Sequence, residues 1–112
     1  MDRFDSELMK GTGATLILAL LAENELHGYA LIQELRRRSS DRFRMNEGAL
    51  YPLLHRLERE GWLASRTRQQ GARSRHCYRL TQAGRKALDE RRSEWRAYAE
   101  FVEDVLEGSE KT

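Results

Sequence analysis

At 112 residues, with 34% charged and 39% hydrophobic side chains, the chain suits one small domain rather than a protein with a roomy internal active site. A single cysteine, Cys77, rules out an intrachain disulfide framework, and the longest apolar run, Leu16–Ala22, is far too short to cross a bilayer. The net charge of +2 hides a segregation: residues 1–35 hold 2 bases and 6 acids, residues 36–86 hold 14 and 4, and residues 87–112 hold 4 and 8. A basic middle between acidic ends marks where a polyanion would bind. The N-terminus is acidic and polar rather than signal-like, so a soluble cytoplasmic protein with no membrane partner is expected.

In chain order, Phe4, Leu8 and Met9 are spaced for a helix, which Gly11 and Gly13 would weaken by roughly 1 kcal/mol each. Ala14–Ala22 is apolar all round, the pattern of an enclosed helix. His27-Gly28 turns the chain into a second helix, Tyr29–Arg38, with Leu31, Ile32 and Leu35 inward. The third helix, Asn46–Glu60, carries Leu50, Leu53, Leu54 and Leu57 at i, i+3, i+4 and i+7, one core-facing stripe. Its opposite edge holds Gly48, Pro52, His55 and Arg59, flanked by Tyr51 and Arg56, a face suited to a major groove. Asn46 is a good N-cap, and Pro52 should bend the axis or tighten the first turn. Gly61 is placed to end the helix in left-handed geometry.

Trp62–Gln69 and Arg75–Leu80 read as two strands joined by residues 70–74, with Leu63, Tyr78 and Leu80 inward and the arginines outward or flanking. Acids are absent between Leu63 and Leu88, which argues for a contact surface at Arg73 and Arg75 rather than a merely solvated one. Thr81 then caps a long helix to about Leu106. Its seam of Leu88, Trp95, Tyr98, Val102 and Val105 keeps a spacing of three to four with one wider step. About 25 residues make a helix of about 38 Å, longer than a core of this size can cover, so part of the seam should bury against a second copy. The fold expected is mainly α with a small β-hairpin. Residues 1–80 form a winged helix-turn-helix, residues 81–106 a C-terminal dimerisation helix, and residues 107–112 a frayed tail.

His27, His55, His76 and Cys77 lack paired ligand spacing, and no catalytic constellation or phosphate-cradling loop is present, so neither metal, cofactor nor catalysis is expected. Two other readings of a basic winged fold stay open. One is an architectural binder indifferent to sequence; the other is a protein–protein adaptor whose basic hairpin is dispensable.

Several motifs at matching spacing carry a resemblance. They are Leu26-His-Gly-Tyr29, Glu47-Gly-Ala-Leu-Tyr-Pro52, Leu57-Glu-Arg-Glu-Gly61, Tyr78-Arg-Leu-Thr-Gln-Ala-Gly84 and Ser93-Glu-Trp95. Together they resemble the PadR family of bacterial transcriptional regulators, in its short branch with a single C-terminal helix, from about Glu7 to Leu106. The resemblance implies a homodimer on an inverted-repeat operator in double-stranded DNA, usually repressing, with some members released by an aromatic effector bound between subunits. Asn46, Gly48, Tyr51, His55, Arg56, Arg59, Arg73 and Arg75 are the expected DNA contacts, and Lys10 matches a basic position ahead of the first helix. Trp95 matches a tryptophan that stacks on flat compounds in a short-branch sensor, and Leu8, Gly11, Ala14 and Thr15 would line the same cavity. Tyr98 and Ala99 stand one turn on, where that sensor has valine and an acidic residue, a departure that disfavours cationic ligands.

Overall fold

The protein is described here by a computed structural model covering residues 11–108; the expectations for Leu8, Lys10 and the last four residues lie outside the described residues. Seven elements follow one another: α1 (Thr12–Glu23), β1 (Leu26–His27), α2 (Gly28–Arg38), α3 (Glu47–Arg59), β2 (Leu63–Gln70), β3 (Arg73–Leu80) and α4 (Gln82–Glu107). The three strands form one antiparallel sheet in the order β1-β3-β2. This is a winged helix-turn-helix, with α2 and α3 as the helix pair and β2–β3 as the wing.

The enclosed helix is α1, whose Ile17 and Leu18 are fully buried. Around it pack Leu31 and Leu35 of α2, Leu50, Leu54 and Leu57 of α3, Leu63 and Tyr78 of the wing, and Ala87 and Leu88 of α4. Each fully buried leucine contributes about 1.5–3 kcal/mol relative to exposure. Leu53 sits at the rim of this core rather than inside it. Leu88 is a correction: expected on a seam with a second copy, it is fully buried in the chain's own core. Ala14, expected on a ligand-facing wall, is likewise buried there.

Local chemistry sets the boundaries of α3. The Asn46 side chain accepts from the Ala49 N–H at 2.9 Å, and the Asn46 carbonyl accepts from both Ala49 (3.1 Å) and Leu50 (2.9 Å). That shared acceptor is the tightened first turn, and the helix then runs unbroken through Pro52. At its far end Gly61 takes φ +84°, with Gly61 N–H bonded to the Glu58 carbonyl and Trp62 N–H to that of Leu57. These two bonds are the Schellman termination that a glycine permits.

The turn between α2 and α3 uses no glycine. Ser40 and Asp41 both hold positive φ (53° and 66°), a conformation that disfavours side chains. The Asp41 carboxylate offsets this by accepting from Arg36 at 3.0 Å and from Arg44 at 3.1 Å, while Ser39 Oγ accepts from the Phe43 N–H at 2.9 Å. The ion pairs and hydrogen bonds within the loop thus aim α3.

Two features differ from the sequence reading. The hairpin turn is only Gly71-Ala72, since β2 and β3 stay paired out to Gln70↔Arg73. Positive φ at Gly71 alone is the type II′ pattern, which matches strand twist. The two-residue β1 was not anticipated; Leu26 pairs with Tyr78 and His27 with Cys77, closing the free edge of β3. A segment so short has no readable period.

The wing's root is clamped to α4. Thr81 donates its N–H to the Trp62 carbonyl at 3.1 Å and its hydroxyl to the Gly61 carbonyl at 2.7 Å, while Oγ1 accepts from the Gly84 N–H at 3.0 Å. Gly84 lies so close that a Cβ there would stand 2.1 Å from the Trp62 carbonyl oxygen. Further along α4, the Arg91 guanidinium covers the Trp62 ring at 5.3 Å and reaches the Thr15 hydroxyl at 3.3 Å. Beyond that point α4 leaves the domain, and the molecule measures 62 × 34 × 21 Å.

Gly84→Ala should destabilise the protein by about 1–3 kcal/mol or more, because backbone, not a flexible side chain, occupies the space. Urea unfolding of the two proteins checks this. A second expectation concerns His27, whose Nδ1 caps α2 by accepting from the Ala30 N–H at 3.3 Å. Burial, and then the Arg75 charge, hold its imidazole below the ordinary value of 6.5. The unfolded chain therefore takes up the proton first as pH falls through 6.5. The cap's contribution is complete above that pH and is lost between 6.5 and the depressed folded value. His27→Asn, a cap that does not titrate, should gain on the parent in urea midpoint as pH drops from 7 to 5.5; parallel midpoints would contradict this.

Candidate nucleic-acid interface

The α2–α3 pair, the loop between them and the wing carry many of the exposed cations among the described residues. Along α3, Gly48, Pro52, His55, Arg56 and Arg59 are exposed, opposite the buried leucines. Among the described residues Arg56 and Arg59 form no ion pair; Glu58 accepts instead from the Ser65 hydroxyl at 2.6 Å. Nothing but the Asn46 side chain, at 3.4 Å, approaches the Cβ position of Gly48, so an incoming surface could reach the backbone there. Asn46 spends its carbonyl oxygen on the cap and keeps its amide nitrogen outward on an exposed residue.

Tyr51 is placed differently from the sequence expectation. It is half-buried against the core, and its hydroxyl would lie 2.3 Å from a Cβ built on Gly28. The ring therefore locks α3 onto the start of α2, with the His55 ring 6.5 Å away on its outer side. Its bulk goes into positioning, and His55 is the more accessible aromatic for an external partner.

On the wing, Arg73 is exposed at the hairpin tip and carries no ion pair among the described residues. Arg75 is half-buried, with its Nε sealed from solvent and lacking an acceptor. Two further wing arginines are tied down: Arg66 donates twice to Glu25, at 2.9 and 3.0 Å, and Arg68 approaches the same carboxylate at 3.7 Å. Those arginines, Arg66 first, hold the Glu25 carboxyl below the usual carboxylate range. The loop before α3 adds exposed Arg42 and Arg44, which the sequence reading passed over. Their position beside the N-cap of α3 was the available signal.

A second candidate region lies between α1 and the distal part of α4. Gly11, Thr15, Trp95 and Tyr98 come together there in an open cleft of about 620 Å³ that Leu16 and Arg91 also line. Ala99 is half-buried outside that lining, and Ala14 faces the core. Past the cleft α4 exposes a run of large apolar side chains: Trp95 (59%), Tyr98 (54%), Phe101 (58%), Val105 (65%) and Leu106 (74%). Val102 is half-buried beside them. Phe101 was missed in the sequence, although it stands three residues from Tyr98 and four from Val105. No helix among the described residues is long and apolar enough to cross a membrane.

Residues 17–90 match the transcriptional regulator PadR-like family. A transcriptional regulator of Mycobacterium tuberculosis is 47% identical over 96 residues, covering 86% of this chain and 84% of its own length. Among solved structures, a PadR family transcriptional regulator from Eggerthella lenta superposes with a TM-score of 0.81 at 35% identity, over 92% of this chain and 88% of that one. A PadR-like transcriptional regulator from Bacillus cereus gives 0.82 at 27% identity, over 93% and 100%. With the basic α3–wing face and these likenesses together, the chain belongs to the PadR family and is a DNA-binding transcriptional regulator.

Proposed function

We propose that the chain acts in the cytoplasm as a homodimeric repressor on an inverted-repeat operator, and that a planar aromatic compound releases it. The single observation that carries the dimer is the exposed apolar face of α4, from Trp95 to Leu106, each large side chain more than half open to solvent. A soluble chain does not leave such a continuous stripe in water without a partner surface. Two copies joined there would present two α3 helices, and a two-fold pair reads half-sites about 34 Å apart. Arg73 at the wing tip would reach the minor groove or its phosphates, with the half-buried Arg75 two residues on adding its charge. His55, Arg56, Arg59 and the Gly48 backbone would meet the major groove, with Asn46 at its edge. Lys10 adds a proposed phosphate contact.

The effector reading rests on the cleft. Trp95 and Tyr98, with ring centroids 6.2 Å apart, offer stacking surfaces above Gly11 and Thr15. Leu8 and Ala99 remain proposed second-rank wall residues. Arg91, Arg92 and Arg96 outnumber Glu94 around the cleft, which favours neutral or anionic rings over cationic ones.

Footprinting on the chain's own upstream promoter tests the reading: two protected segments of inverted sequence, centred one helical turn apart, are expected. Uniform coating, with equal affinity for random duplex, would favour the architectural reading; no shift at moderate salt would favour the adaptor. Arg73→Ala should weaken binding to every duplex alike, whereas His55→Ala should alter which bases are preferred, and anisotropy titrations against operator and random DNA separate the two. Phe101→Glu buries a charge in the proposed dimer seam and should cut operator affinity at least about tenfold while leaving the circular dichroism spectrum unchanged.

A further inference from the structure

The wing's strands contain no acid, yet a carboxylate reaches them from elsewhere. Glu25, in the link between α1 and β1, lies 41 residues from Arg66 in sequence and grips it with two hydrogen bonds at 2.9 and 3.0 Å. The geometry is the bidentate fork that guanidinium and carboxylate favour. Arg68 stands 3.7 Å from the same carboxylate, whose side chain is only 15% exposed although both arginines are about half open. By contrast Arg73, at the tip of the same hairpin, is exposed and carries no ion pair among the described residues. The wing thus has two arginines, Arg66 and Arg68, sharing one carboxylate, whereas Arg73 at the tip and Arg79 near the root carry no ion pair among the described residues.

We propose that Glu25 is a specificity-determining residue. By gripping Arg66, with Arg68 drawn to the same carboxylate, it cancels one positive charge in the wing's body and so weakens indiscriminate phosphate binding there, leaving Arg73 at the tip unpaired. Sequence-independent affinity grows with each phosphate neutralised, so a regulator that must leave random sites gains from fewer free cations. The inference rests on the family's DNA binding alone, and needs neither the dimer nor the effector.

The test is anisotropy of a random-sequence duplex titrated with the full-length protein at several salt concentrations. Glu25→Gln keeps the side chain's shape and removes its charge. It should tighten random-duplex binding several-fold and steepen the salt dependence by about one on each bound head. In that background Arg66→Ala together with Arg68→Ala should abolish the gain. In the parent protein, Arg66→Ala should leave the salt slope unchanged, because the cation is already neutralised; this arm holds even if Glu25→Gln folds poorly. A slope shallower by about one in parent Arg66→Ala would overturn the proposal. So would unchanged or weakened random binding by a folded Glu25→Gln protein.

Discussion

The angle between α3 and the helix that leaves the domain is set by one backbone junction. Gly61 ends α3, Trp62 leads into the wing, and Thr81 and Gly84 begin α4, with Thr81 hydrogen-bonded to each of the other three. No side chain can be added at Gly84 without displacing the Trp62 carbonyl. Arg91 then braces the next turns of α4 against Trp62 and Thr15. Because backbone atoms make the junction, the direction of the long helix relative to α3 follows from the fold rather than from surface chemistry. In the proposed dimer that direction fixes how far apart two α3 helices sit, and so what spacing of half-sites they can read.

Charge is distributed with similar economy. Of the many arginines in the basic middle of the chain, those on α2 are absorbed locally: Arg36 by Asp41, Arg37 by Glu34 and Arg38 by Glu23. Exposed pairs of this kind add little stability each. Their consequence is electrostatic, since they reduce the free charge on α2 while Arg56, Arg59 and Arg73 stay without ion pairs among the described residues. The net basicity seen in the sequence therefore overstates the charge available to a polyanion and understates how narrowly it is focused.

Much of this was legible beforehand. The leucine period of α3, the Asn46 and Thr81 caps and the Gly61 stop each depend on contacts within a few residues, and each appears where the spacing placed it. What escaped was long-range. Leu88 continues the 3–4 spacing of α4 but falls where that helix still lies on α1, so periodicity alone could not separate the core from a seam. Tyr51 looked outward by helical angle, yet the missing side chain at Gly28 draws its ring inward. The Glu25–Arg66 pair joins positions with no local signal at all. The exposed stripe was only partly seen, because Phe101 was left out of a spacing that includes it.

In the proposed dimer a second copy covers the distal half of α4, whose Trp95, Tyr98, Phe101, Val105 and Leu106 are exposed among the described residues. Sedimentation equilibrium of the unmodified protein at low micromolar concentration measures this directly. A single species of twice the 13.1 kDa chain mass is predicted. A species of one chain mass across that range, with α4 helical and its aromatic side chains still open to solvent quenchers, would contradict the account.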